Sequence, residues 1–141
     1  MKLQMQCSQT AIAGAMEISK EAVSSEFECE TFEKVWEKVD EELTGLKGNL
    51  RKKDFSNTQE ELGNIIFTLI NIAHWCKLNP EEGLARKNQR FLDRFSYVES
   101  KLEGDISKYS LNTLRETWKA AKKILVFNQE ILQINKYKFN I

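Results

Sequence analysis

The sequence predicts an all-α protein, a helical bundle, from three observations. Apolar residues recur at steps of three and four along most of its length, the signature of one face of a helix. No stretch alternates apolar and polar residues as a half-buried strand does. The composition, 41% apolar and 30% charged with one Pro and six Gly in 141 residues, excludes disordered, collagen-like and low-complexity chains and favours a helix-rich globule.

The elements follow in order. Gln9 to Ser25 reads as a helix with a weak pattern. Thr31 can cap a second helix, whose apolar positions Phe32, Val35, Val39, Leu43, Leu46 and Leu50 step by three and four. Arg51 to Asn57 is polar and breaks the pattern. Thr58 and Glu61 have capping-box spacing, so the third helix is expected to begin there, with the stripe Leu62, Ile65, Ile66, Leu69, Ile70 and Ala73. Asn79-Pro80-Glu81-Glu82 combines an Asn cap, Pro in the first turn and acids near the helix N-terminus. The fourth helix then carries Leu84, Phe91, Phe95, Val98 and Leu102. Gly104-Asp105 punctuates, and Ser110 can cap a last helix from Leu111 to about Phe127. Residues 128–141 are either its continuation or a docking arm. With no internal repeat and no linker, a single domain over 1–141 is expected.

Several function classes recede on charge and hydropathy. Lys plus Arg (21) balances Asp plus Glu (21), so nothing global attracts nucleic acid or an anionic membrane. No apolar run reaches the roughly 18 residues of a membrane span, and Met1 to Glu17 is too weakly apolar for a secretory leader. Three cysteines, Cys7, Cys29 and Cys76, form no framework spacing, which predicts reduced thiols and a cytoplasmic protein. A neutral chain has little solubility margin, so an oligomer is expected.

Charge is uneven locally. Glu26 to Glu42 holds eight acids and two lysines, and Arg115 to Ile141 holds six bases and two acids. Residues three or four apart share a helix face. On the third helix Glu61, Asn64, Thr68 and Asn71 form a polar row; on the second, Lys38, Glu42, Gly45 and Asn49 do the same. If the two helices pack through their stripes, Glu42 and Glu61 face each other. Paired carboxylates there are costly without a counter-charge, and a hard cation such as Mg²⁺ is one remedy; the alternative is two ordinary exposed glutamates. On the fourth helix Lys87, Arg90, Arg94, Tyr97 and Lys101 share a face. This is either a solvated basic face or a phosphate site, for which guanidinium groups are well shaped. Asn88 falls among the apolar positions and would need a partner there. His74 and Cys76 are about 200° apart on a helix and cannot close on one metal. No phosphate loop or nucleophile triad is present. Trp118, beside Lys119, Lys122 and Lys123, can stack on a base or pack in the core.

Three stretches carry a family resemblance: Val35-Trp36-Glu37-Lys38-Val39-Asp40-Glu41-Glu42-Leu43, Glu60-Glu61-Leu62-Gly63-Asn64-Ile65-Ile66-Phe67-Thr68-Leu69-Ile70-Asn71-Ile72-Ala73, and Asn88-Gln89-Arg90-Phe91-Leu92-Asp93-Arg94-Phe95. Over about Gln9 to Lys123 the chain resembles the MazG family of nucleoside triphosphate pyrophosphohydrolases. The resemblance implies an all-α fold, usually a homodimer, and Mg²⁺-dependent cleavage of a nucleoside triphosphate to a monophosphate and pyrophosphate. It implies catalytic roles for Glu41, Glu42 and Glu61, metal ligation by Glu42, Glu61 and Asn64, and nucleotide contacts from Asn71, Asn88, Arg90, Arg94 and Trp118. The family's Glu-Glu-x-x-Glu motif reads here Glu41-Glu42-Leu43-Thr44-Gly45, and its Glu-x-x-Asp motif reads Glu61-Leu62-Gly63-Asn64. Two of four metal carboxylates are thus replaced, by Gly45 and Asn64. The expectation is weak or absent turnover, with a non-catalytic nucleotide-binding or dimerisation module that modulates an intact paralogue as the alternative.

Overall fold

The structure, a computed structural model, describes residues 10–24 and 31–138, the side chains of 23–24 and 130–138 excepted. Among them are five α-helices and no strand: α1 (Ala11–Ser24), α2 (Phe32–Arg51), α3 (Phe55–Trp75), α4 (Pro80–Lys101) and α5 (Leu111–Lys138), with a short 3₁₀ turn at Ile106–Lys108. The fold is all-α, as the periodicity predicts. Gln9, Ser25, Cys7 and Cys29 lie outside the described residues; Cys76 is free and exposed. The chain divides into two compact units, residues 1–83 and 84–141.

In the first unit, α2 and α3 form a helical hairpin. Thr31 is extended (ψ 156°) and its side chain accepts from the Lys34 amide, capping α2. The chain reverses at residues 52–54, where Lys53 has a left-handed φ of 59°. The third helix begins at Phe55 and not at Thr58. Asp54 is its N-cap, accepting from the backbone amide and the side-chain amide of Asn57 at 3.3 and 2.6 Å. The Thr58 hydroxyl instead donates back to the Asp54 carbonyl. The capping box is displaced because Asp54 is an equally good cap nearer the turn, while Phe55 is 70% exposed and adds no apolar signal.

Val35, Val39 and Ile72 form the core of the hairpin, with Phe32 and Leu43 packed against it. Helix α3 also packs against α1, so it is buried along two sides. Residues Ile70 to Ala73 are four consecutive buried positions, which at about 100° per residue sweep most of the helix circumference. This corrects the expected single stripe. Thr68 and Asn71, read as part of a polar row, are buried, whereas Leu62, Ile66 and Leu69 remain 48%, 43% and 44% exposed. On α1, Gly14 and Ser19 are buried. Thr10 caps that helix, accepting from the Ala13 amide, and its hydroxyl donates to Glu81 at 3.5 Å. The Asn79 side chain accepts from the Glu82 amide, giving α4 the start its sequence predicts.

In the second unit, Gly104 takes a left-handed φ of 77° and Asp105 caps the 3₁₀ turn. Hydrogen bonds from Ser107, through side chain and backbone, hold the Asp105 carboxyl below its ordinary range. Ser110 accepts from the Thr113 amide and caps α5. That helix runs on to Lys138, so the segment after Phe127 continues the helix. Phe91 stacks on Phe95 and lies 5.1 Å from Trp118, ring centre to ring centre. Among the described residues of this unit only Val98 and Ala121 are buried. The expected apolar stripe of α4 is therefore largely uncovered, and Asn88, expected to need a buried partner, is exposed.

The Ser19 hydroxyl is buried and has no hydrogen-bond partner among the described residues. Leaving such a group unmet costs about 1–3 kcal/mol, so Ser19→Ala should stabilise the protein by up to about 1 kcal/mol. A rise in the urea midpoint checks this; a fall would show that the hydroxyl is satisfied.

Candidate active site

Two pairs of residues meet along the α2–α3 seam. The Thr68 hydroxyl donates to Oε1 of Glu42 at 3.3 Å. The second oxygen of Glu42, Oε2, is buried and has no hydrogen-bond partner among the described residues. One turn along α2, a methyl group placed on Gly45 would sit 3.4 Å from Cδ and 3.5 Å from Oε1 of Glu61. The carboxylate of Glu61 thus lies against the bare backbone of α2 at Gly45. The hairpin register fixes both pairs: Glu42 and Gly45 are three residues apart on α2, Thr68 and Glu61 seven apart on α3, each spacing keeping its pair on one face. Two carboxylates on one seam are oxygen ligands of the kind a hard cation takes.

No family model matches the chain. Its sequence is 30% identical over 115 residues, 79% of its length, to the nucleoside triphosphate pyrophosphohydrolase/pyrophosphatase MazG of Thermotoga maritima, of which it covers 44%. It is 27% identical over 118 residues, 80% of its length, to the nucleoside triphosphate pyrophosphohydrolase of Escherichia coli K12, covering 45% of that protein. It is also 40% identical over 70 residues to the uncharacterized protein YabN of Bacillus subtilis, covering 14% of it. These similarities support a MazG-like family assignment for the chain. It spans a little under half the length of the MazG relatives it matches.

The remaining MazG-like site positions are dispersed. Glu41 is exposed on α2, about 100° around the helix from Glu42. Asn64 is exposed on α3, and Asn71 is buried nearer the C-terminal end of that helix. Among the described residues no group of three His, Cys, Asp or Glu converges as a metal centre does. Gly45 supplies no donor, and Thr68 already engages one oxygen of Glu42. The seam offers two carboxylates and no third, so a hard divalent ion such as Mg²⁺ would need waters or substrate phosphate oxygens to complete its shell.

The candidate phosphate and base contacts lie in the second unit. Of the basic row on α4, Lys87 sits over Phe91 and Lys101 over Tyr97, at 5.9 and 5.4 Å from the ring centres. Arg90 and Arg94 instead border a cleft with Asp93, Leu125, Val126 and Gln129, of about 10 Å³, about the room of one water. Trp118 is half-buried beside Phe91, so its ring has an aromatic neighbour already.

Two features of the seam escape sequence reasoning. Thr68 was visible in the polar row, but its role as donor to Glu42 depends on register. The contact between Gly45 and Glu61 had no sequence signal beyond the mismatch to the family motif.

Thr68→Val should remove the only hydrogen bond to the Glu42 carboxylate among the described residues and destabilise the protein by about 1–3 kcal/mol. Thr68→Ser, which keeps the hydroxyl, should lose clearly less. Urea unfolding of both variants checks this; equal losses would mean that the methyl packing, not the hydrogen bond, matters.

Proposed function

We propose that this MazG-like chain binds nucleoside triphosphates and has weak or no pyrophosphohydrolase activity, the family reaction being water attack on a triphosphate to release a monophosphate and pyrophosphate. The observation that carries this reading is the seam itself: Glu61 rests on a glycine where the MazG-like motif has a carboxylate. Water activation at a metal needs fixed coordination and orientation, which two carboxylates and an exposed amide do not supply. The catalytic candidates on this reading are Glu41, Glu42 and Glu61, with Asn64 as a weak fourth donor toward Mg²⁺. Arg90 and Arg94 are the phosphate contacts, each able to give charge-assisted hydrogen bonds. Asn71, Asn88 and Trp118 complete the nucleotide contacts. No helix among the described residues is long and apolar enough to cross a membrane.

A second reading, a non-catalytic nucleotide-binding or dimerisation module that modulates an intact paralogue, is favoured by a separate observation. Leu62, Ile66 and Leu69 fall within about 60° of one another on α3 and are each more than 40% exposed. Such a stripe fits a homodimer, in which the apolar face of one copy covers that of the other. Both readings share the fold and differ in turnover.

Gly45→Glu together with Asn64→Asp tests the first reading. The wild-type chain should release pyrophosphate from a nucleoside triphosphate with Mg²⁺ or Mn²⁺ at least about a hundredfold more slowly than a median enzyme turnover of about 10 s⁻¹. The double variant should gain metal-dependent release, and its melting temperature should rise with Mg²⁺ by ligand linkage. Gly45→Ala is the control: its methyl meets Glu61 at an ordinary contact distance, so it should add up to about 1 kcal/mol of helix stability and no activity. Full turnover by the wild type would overturn the reading.

Light scattering should find a dimer at micromolar concentration, and Ile66→Glu should shift it toward the monomer. A wild-type chain that stays monomeric would remove the homodimer from both readings.

A further inference from the structure

On the side of α3 away from Glu42 and Thr68, a pocket of about 230 Å³ opens between α1 and α3. Met16, Glu17 and Lys20 of α1 form one wall, Ile70 and His74 of α3 the other, and Leu78 and Pro80 close the end. Ile70 lies two residues beyond Thr68, about 200° around the helix, so the pocket and the carboxylate seam open on opposite sides of α3. The walls are mainly apolar. The polar groups are one imidazole, one carboxylate and one ammonium, and none of the three makes a hydrogen bond or ion pair among the described residues. Such a set differs from a phosphate site, which concentrates positive charge. Ligand pockets for drug-sized molecules run to roughly 300–1,000 Å³, so this volume suits a fragment of one or two rings and not a whole nucleoside triphosphate.

We propose that this pocket is a separate binding site for a small, uncharged heteroaromatic ring. The ring lies between the Met16 thioether, a favourable neighbour for an aromatic edge, and the aliphatic surface of Ile70, Leu78 and Pro80. His74 hydrogen-bonds a ring nitrogen: its imidazole is the one polar group on the α3 wall and can donate or accept. Glu17 and Lys20 stand at the exposed rim and select substituents that hydrogen-bond to them. The inference is independent of the nucleotide reading above.

Benzimidazole, which carries one donor and one acceptor nitrogen, is the probe. Titrated into the full chain and followed by amide NMR shifts, it should give saturable changes confined to residues 16–20 and 70–80, with Kd of about 1 mM. Leu78→Trp, at an exposed position, should fill the pocket and weaken binding at least about tenfold. His74→Phe should weaken it severalfold and His74→Gln less, because glutamine keeps hydrogen-bonding capacity. A dispersed spectrum confirms that each variant folds, with Met16→Phe replacing Leu78→Trp if that variant does not. Shifts that fail to saturate at the solubility limit, that ignore the filling variant, or that are displaced by a nucleoside triphosphate would overturn the proposal.

Discussion

The structure of the first unit depends on one constraint, the register of the α2–α3 hairpin. A three-residue reversal with Lys53 in a left-handed conformation turns α3 back along α2. Val35 and Val39 then meet Ile72, and full burial of each such side chain contributes about 1.5–3 kcal/mol. The same register places Thr68 against Glu42 and Glu61 against Gly45. A slip of one residue would rotate α3 by about 100° and carry Ile72 and Thr68 out of the seam together. Core and site are consequences of one alignment, so neither can change without the other.

That alignment contains two local conflicts with stability. Gly45 inside α2 costs about 1 kcal/mol relative to alanine, although its surroundings would admit a methyl group at an ordinary contact distance. Glu42 places a buried carboxylate oxygen where no donor among the described residues meets it, which is unfavourable for a charged group. Sequences that specify a fold tend to agree across levels, and such disagreements gather at functional or strained positions. Here both fall on one stretch of one seam, within three residues on α2. Further along the same helices Val35 and Val39 pack on Ile72, apolar contacts that need no counter-charge.

Much of the fold was legible because helix caps are local chemistry. Thr31, Asn79 and Ser110 each hold the amide three residues ahead, and nothing distant is needed to see it. The start of α3 is ambiguous in the sequence because Asp54 and Thr58 are both competent caps, and Phe55 has polar Thr58 and Gln59 three and four positions on, so it begins no apolar stripe. The faces of α3 were misread for a different reason. A helix flanked on two sides buries two arcs, so polar Thr68 and Asn71 went inside while Leu62, Ile66 and Leu69 stayed out. The same uncovered stripe on α4 left Asn88 in solvent. For the site, spacing could put Glu42 and Glu61 on inward faces, but the pairing of Glu42 with Thr68 spans 26 residues of chain. Only the length of the reversal and the packing of the valines determine it.

The exposed stripe and the carboxylate seam are also neighbours on α3. Leu62 follows Glu61 directly, and Ile65, which is buried, lies between Leu69 and Thr68 in angle around the helix. Glu61 lies about 80° around α3 from Leu69 and about 100° from Leu62, so an apolar surface that covers Leu62, Ile66 and Leu69 has that carboxylate at its margin. Excluding water there lowers the local dielectric and strengthens every charge interaction in the seam, repulsion between unneutralised carboxylates included. Covering the stripe and holding a cation beside Glu42 and Glu61 are then thermodynamically linked: a cation that satisfies the seam favours the covered state, and the covered state binds it more tightly.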